Sequence, residues 1–312
     1  MRLSVVIPCR DRWTSLRTCL ESVHHAQENY EGDVSILVID DRSNPPLSQK
    51  ISPDFPKVNV VASSGRGPGA ARNEALERCR GGGVIFTDSD CVVSREWLSV
   101  AADWLSKEGP PVAQGVPWLF QKKQNPSLGQ QEEALYETMF STYLINGTCR
   151  QIDTRNLILR PEVLNRHTEL RFPTQMETAA AEARVFAREF LRRGLPITWL
   201  PELTVFHEDP SDMRAVCRQK YRHGSGRIHV WDASPSSDHL LERYFTGPIA
   251  AGVPEDYVIP AHLAFLQGYW NALASEGEEA EGQGFLTGRL QDRYGDSVSA
   301  ALSYLPAWLV NE

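Results

Sequence analysis

The feature that most constrains this chain is a recurring unit in its first 90 residues. Apolar runs of four to six residues, at 3–8, 34–39, 58–62 and 84–87, alternate with amphipathic stretches at 13–26 and 70–80. Runs this short read as buried strands, and their alternation with helices predicts a mostly parallel sheet flanked by helices. In such sheets ligands sit at the carboxyl ends of the strands. The polar clusters fall there: Cys9, Arg10 and Asp11 after the first run, Asp40, Asp41, Arg42 and Ser43 after the second, and Asp88, Ser89 and Asp90 after the fourth.

The second half reads differently. Helices are predicted at 127–142, 178–193 and 213–227, and strands at 152–159, 197–200 and 203–206, the last two separated by Pro201. Residues 234–238 read as a linker. From Pro260 onward the pattern is terminal helices around an acidic loop at 276–284.

Asp88-Ser89-Asp90 carries the most chemical information. Two carboxylates one residue apart, past a buried strand, can hold a hard divalent cation together with phosphate oxygens; a solvated turn is the plainer reading of the bare pattern. Asp40 and Asp41 can accept hydrogen bonds from a nucleobase or ribose, or cap a turn. The run Gly65-Arg66-Gly67-Pro68-Gly69 opens a helix, where glycines permit close approach and the helix end attracts phosphate. It lacks the Gly-x-Gly-x-x-Gly order of dinucleotide loops, and no Gly-Lys-Ser/Thr follows.

The net charge of −8 argues against nonspecific nucleic-acid binding. Cys9, Cys19, Cys79, Cys91, Cys149 and Cys217 show no short paired spacing, so a Cys-x-x-Cys zinc site is absent and free thiols in a reducing cytoplasm are expected. No apolar run approaches the ~20 residues of a membrane span.

Taken in order, Val-Val-Ile-Pro (5–8), Val-Ile-Asp-Asp-x-Ser (38–43), Gly-x-x-x-Ala-Arg-Asn (67–73), Phe-Thr-Asp-Ser-Asp (86–90), Arg-Asn-Leu-Ile-Leu-Arg-Pro-Glu (155–162) and Pro-Glu-Leu-Thr-Val-Phe-His (201–207) resemble the family 2 glycosyltransferases of GT-A fold. The resemblance implies a GT-A-like α/β domain at 1–232, with a nucleotide-binding half (1–120) and an acceptor half (121–232), and a helical C-terminal extension at 233–312. It implies an inverting, metal-dependent transfer from a nucleotide-diphosphate sugar, a UDP-sugar by expectation, to the hydroxyl of a small molecule, peptide or glycan. Pro8, Cys9 and Arg10 would line the nucleotide pocket, Asp40 and Asp41 would meet the base, and Arg66 or Arg72 would help hold the nucleotide. Asp90, with Asp88 and His207, would bind Mn2+ or Mg2+, Ser89 would lie against the donor, and Asn156 would line the donor-sugar side. Taken by itself, His207 reads more readily as a structural histidine than as a ligand.

One departure matters. Family members usually carry Glu-Asp about a dozen residues before a helix-ending glycine, with that Asp as general base; the matching pair before Gly194 is Glu182-Ala183. Glu182 is the replacement candidate, with Glu177, Glu208 and Asp209 as others, although successive helix residues point about 100° apart. Ala183 also supports a second class, a nucleotide-sugar-binding protein without catalysis. A nucleotidyltransferase is a weaker fit, because the loop after the first strand has no glycine. The basic segment 214–227 reads as a solvated face or a diphosphate contact, with a loop around Gly224–Gly226 that could close over the donor. Trp118 reads as a sugar-stacking or core residue. The terminal helices are the expected surface for any homo-oligomer.

Overall fold

The computed structural model describes residues 2–79, 81–175, 181–231, 235–278, 283–302 and 305. It divides into two units. The first comprises Met1–Gln121, Tyr143–Thr178 and Glu182–Glu208; the second comprises Lys122–Thr142, Ala179–Ala181 and Asp209–Glu312.

The first unit is built on a sheet of ten strands among the described residues: β1 (Leu3–Cys9), β2 (Val34–Asp40), β3 (Asn59–Ala62), β4 (Gly83–Phe86), β5 (Cys91–Val93), β6 (Val112–Phe120), β7 (Leu144–Ile145), β8 (Thr148–Cys149), β9 (Leu157–Leu159) and β10 (Ile197–His207). Their order is β3-β2-β1-β4-β9-β6-β10-β8-β7, with β5 also pairing β10. Strands β1 to β4 are parallel neighbours, β9 runs against both β4 and β6, and β10 is parallel to β6. So β1–β4, β6 and β10 all point the same way, and their carboxyl ends share one edge. The expected mostly parallel α/β sheet is present.

Alternation along the strands sorts the two faces. Leu3, Val5, Ile7, Ile36, Val38 and Ile85 pack with Leu16, Leu20 and Val23 of the helix Trp13–Glu28 and with Trp97, Leu98 and Ala101 of the helix Trp97–Ser106. Phe86, the neighbour of Ile85, meets Phe172 instead, with ring centroids 5.9 Å apart, and Phe172 stacks on Phe186. On this side the helix Gly67–Arg78 comes close to the chain at Pro173: a Cβ on Gly69 would lie 2.1 Å from the Pro173 carbonyl oxygen. Glycine is required there for contact, not for backbone freedom.

Three local expectations change. The segment 152–159 is a strand only at Leu157–Leu159, because Asp153 accepts a hydrogen bond from the Arg155 amide (3.0 Å) and caps a 3-10 turn over Thr154–Asn156. The two short strands around Pro201 are one strand, β10, whose register against β6 shifts between Trp199 and Thr204. A bulge is where a strand tolerates a residue without an amide hydrogen. Terminal helices begin before Pro260, which lies inside the helix Glu255–Ser275.

The second unit is helical. Helices Pro126–Ser141, Met213–Ser225, Glu255–Ser275 and Gln283–Leu302 supply most of it. Gly224 and Gly268 let two of them touch backbone to backbone: a Cβ on Gly224 would meet the Phe265 oxygen at 1.8 Å, and one on Gly268 the Tyr221 oxygen at 2.1 Å. The expected mobile loop at Gly224–Gly226 is therefore a packed helix end. Of the basic segment, Arg214, Arg218 and Arg222 are exposed, whereas Lys220 and Arg227 are buried. Among the described residues no helix is long and apolar enough to cross a membrane.

Candidate active site

The shared carboxyl edge gathers the loops after β1, β2, β3, β4 and β10, and β9 brings the Asp153–Asn156 turn to it from the opposite direction. At its centre β5 pairs antiparallel with β10 so that His207 lies opposite Cys91, and the Glu208 amide donates to the Asp90 carbonyl (2.9 Å). This ladder places His207 Nε2 3.3 Å from Asp90 Oδ1, with both side chains 15% exposed. His207 Nδ1 lies 2.8 Å from the Glu208 carbonyl oxygen, which orients the ring. Arg12 reaches from the β1 loop to the other Asp90 oxygen. Burial would raise the Asp90 pKa, but His207, Arg12 and Arg155 outweigh it and hold the carboxyl below its usual range. Burial would lower His207, and Asp90 outweighs that, so the imidazole sits above its usual value.

Asp88 faces a different cation. Its Oδ1 accepts from Arg72 Nη2 (2.9 Å), and Arg72 Nη1 donates to Glu182 Oε1 (2.8 Å). Burial is the larger influence on Asp88 and raises its pKa, against the pull of Arg72. Arg72 is 2% exposed, which removes it from the expected direct role of holding the nucleotide. Ser89 is buried and hydrogen-bonds the Cys9 thiol, which burial pushes up to about 11.

The β2 loop separates two adjacent carboxylates. Asp40 accepts from the Ser43 and Leu47 amides (2.8 and 2.9 Å), so it shapes the loop. Asp41 is carried one residue further, its own amide bonded to the Cys9 carbonyl (2.9 Å), and both its oxygens face the Gly67 amide at 3.2 and 3.0 Å. Gly67 has φ 83°, a conformation suited to glycine. Burial raises the Asp41 pKa against that bond. Pro8 is half-buried at the end of β1, and Arg10 and Arg66 are exposed at the same edge.

Asn156 is corrected. It is fully buried; Trp97 Nε1 donates to its Oδ1 (2.9 Å), and its Nδ2 donates to the Val116 and Leu203 carbonyls (3.2 and 2.8 Å). Gly115 leaves the room, since a Cβ there would lie 2.3 Å from Nδ2. Asn156 is a clamp between β6, β9 and β10, with no polar atom left for a sugar. Asp209 is occupied too, accepting from the amides of Lys122, Lys123 and Gln124 (2.7, 2.5 and 2.8 Å). Glu208 accepts from the Ser15 hydroxyl (3.2 Å), and Glu177 lies outside the described residues. Trp118 is 9% exposed and stacks on Trp199, a core arrangement.

Sequence reasoning missed Arg12, Asp153 and Arg155. Asp153 and Arg155 form a bidentate pair (2.9 and 2.8 Å) beside Asp90. The sequence signal for Arg12 was its place just past the first strand; its aim at Asp90 depends on the turn at Asp11, whose φ is 56°. Among the described residues no cluster of three or more His, Cys, Asp or Glu side chains is arranged to hold a metal ion.

The family model described as Glycosyl transferase family 2 matches residues 4–167. The chain is 25% identical over 184 residues to the poly(ribitol-phosphate) beta-N-acetylglucosaminyltransferase TarS of Staphylococcus aureus, covering 57% of this chain and 31% of that one. It is 25% identical over 236 residues to the glycosyltransferase AglE of Haloferax volcanii, covering 73% and 74%. The matched part thus spans about a third of the length of the first relatives. Among solved structures, the mannosyltransferase PcManGT from Pyrobaculum calidifontis, in complex with GDP-Man and Mn2+, superposes with a TM-score of 0.51 at 17% identity, over 99% of this chain and 84% of that one. That likeness is one of fold, and the fold is GT-A. With a family match over just over half of its 312 residues, running from β1 through the Asp88–Asp90 edge to β9, the chain belongs to glycosyl transferase family 2.

Proposed function

We propose that this chain transfers a glycosyl group from a nucleoside-diphosphate sugar to an acceptor hydroxyl, with inversion at the anomeric carbon and with a divalent cation at the diphosphate. The observation that carries the reading is the Asp90–His207 pair at the carboxyl edge of the sheet. It brings one carboxylate and one imidazole, both groups that ligate divalent cations, within 3.3 Å of each other. Asp90 and His207 would hold Mn2+ or Mg2+ as two protein ligands, and Asp88, whose Oδ1 is turned to Arg72, would support the ion through water with its other oxygen. Such ions commonly take few protein ligands and complete their shell with phosphate oxygens and water. When bound, the ion supplies charge neutralisation for a diphosphate leaving group.

The chain's own residues do the rest. Arg12, half exposed beside Asp90, is placed to take a phosphate oxygen. Asp41 offers carboxylate lone pairs to a nucleobase N–H, for which the imide N–H of uracil is the partner we expect. Gly67, at the start of the helix Gly67–Arg78, carries no side chain beside Asp41.

The test is release of nucleoside diphosphate from a panel of UDP- and GDP-sugars with Mn2+, comparing wild type with Asp90→Asn and with chelator. The expected result is a loss of about 100-fold or more in the variant, the scale on which a charge stabiliser of the leaving group is lost. Release undiminished in both would sink the proposal.

A further inference from the structure

We propose that Glu182 is a positioning residue that fixes Asp88 through Arg72, and is not the base that activates the acceptor; this rests on the glycosyl-transfer reading above. The Arg72 guanidinium is buried between two carboxylates from distant parts of the chain. One terminal nitrogen serves Glu182 (2.8 Å), the other serves Asp88 (2.9 Å), and Nε has no partner among the described residues. The Phe172 ring lies 5.7 Å from its centre. A guanidinium can close as a fork on one carboxylate. Here it does not, because Glu182 holds one arm of the fork.

The consequence falls on Asp88. Its side chain is 29% exposed, and with Oδ1 bound to Arg72 its Oδ2 has no partner among the described residues. Glu182, Arg72 and Asp88 therefore form a relay that starts in the core and ends in one available carboxylate oxygen, two residues from Asp90. Glu182 sits at the buried end, 5% exposed, with Oε1 committed to Arg72. A base must come within hydrogen-bond reach of the hydroxyl it deprotonates. Burial at 5% exposure and the Arg72 pair together keep Glu182 away from an acceptor in solvent. Removing Glu182 frees Arg72 to take both oxygens of Asp88, which withdraws the available one from the diphosphate end of the site.

The experiment compares the full chain with Glu182→Gln, Glu182→Ala, Asp88→Asn and the Glu182→Ala/Asp88→Asn double variant. It reads kcat and KM for donor hydrolysis, and binding of UDP or GDP with Mn2+ by calorimetry. Glutamine keeps an acceptor for Arg72, so Glu182→Gln should stay within about threefold of wild type in kcat. Glu182→Ala should weaken nucleoside-diphosphate binding and raise donor KM by about tenfold, with a smaller change in kcat. In the Asp88→Asn background the alanine change should add almost nothing, as expected of residues acting through one chain of contacts. Thermal unfolding confirms that each variant is folded, and Glu182→Gln carries the test if the alanine variant is not. A drop of about 100-fold or more in kcat for Glu182→Gln, with nucleotide binding unchanged, would overturn the proposal, because that is how loss of a base reads. Full additivity of the two substitutions would overturn it as well. Wild type that binds no nucleoside diphosphate would overturn the glycosyl-transfer reading, and this proposal with it.

Discussion

An acid–base cluster in the sheet unit and one in the helical unit are built from similar groups, and they differ in what is left over. In the sheet unit, Asp90 pairs with His207 and Arg12 at an edge where the Arg12 side chain is 52% exposed. In the helical unit, Glu132 accepts from Lys220 through one oxygen and from the Tyr257 hydroxyl through the other. Glu132, Lys220 and Tyr257 are all buried, and the Lys220 ammonium lies 4.4 Å from the centre of the Tyr136 ring. Every polar atom of that carboxylate is used inside the protein, so the cluster can fix helices but has nothing to offer a ligand. The edge cluster has one half-exposed cation, Arg12, beside a carboxylate and an imidazole that are each 15% exposed, so a ligand from solvent can reach it. Charge alone does not mark a site; exchangeable partners do.

The contrast can be broken most forcefully at Lys220. Lys220→Met leaves Glu132 buried without its counter-charge, and the expected cost is about 3–5 kcal/mol of stability in urea unfolding. A loss under about 1 kcal/mol, the value of an exposed pair, would remove the distinction. A smaller effect comes from His262, buried in the same unit with Nδ1 facing the Tyr244 carbonyl oxygen. Burial first, then Lys220 and Arg227, push its pKa down to about 3. The unfolded chain, with an ordinary His pKa near 6.5, binds the proton that the folded protein refuses. The stability from the neutral imidazole is therefore complete above pH ~6.5 and declines as pH falls, by about 1 kcal/mol at pH 5.5. Comparison with His262→Gln over this window should show that slope in wild type only; equal slopes contradict the assignment. The smallest effect is at Lys107 and Asp103, a pair 67% and 63% exposed on the sheet unit. Lys107→Ala should change stability by about 0.5 kcal/mol or less. A larger change in thermal unfolding would show that exposure does not divide these clusters as argued.

The first four strands and the edge they serve were legible because each carries its own signal, a short apolar run, and the first, second and fourth are followed by clusters containing aspartate. The segments that misled were those whose form is set from outside. Asp153 converts half of an apparent strand into a turn by capping it, and β10 runs through Pro201 because its neighbour β6 accommodates a shifted register. At the site, residue identity located Asp41, Asp90 and His207 at one edge, but partners decided what each can do. Asn156 looked like a polar wall of the donor site, and Trp97, Val116 and Leu203 consume its amide. Arg72 looked like a phosphate ligand, and two carboxylates hold it under the surface. Arg12 went unnoticed because its approach to Asp90 depends on the backbone turn at Asp11. Composition fixes which groups arrive at an edge; the hydrogen-bond partners they meet fix which remain available.

The account turns on Asp90 and His207 acting together on a cation that accompanies a nucleoside diphosphate. Calorimetric titration of UDP and GDP into the full chain, with Mn2+ and with Mn2+ chelated, in wild type and His207→Ala, addresses this directly. The account predicts cation-dependent binding of one nucleotide in wild type, weakened about tenfold or more in the variant, the usual scale for loss of one metal ligand or its support. Binding that is equally tight without the cation, or that His207→Ala leaves unchanged, would contradict it.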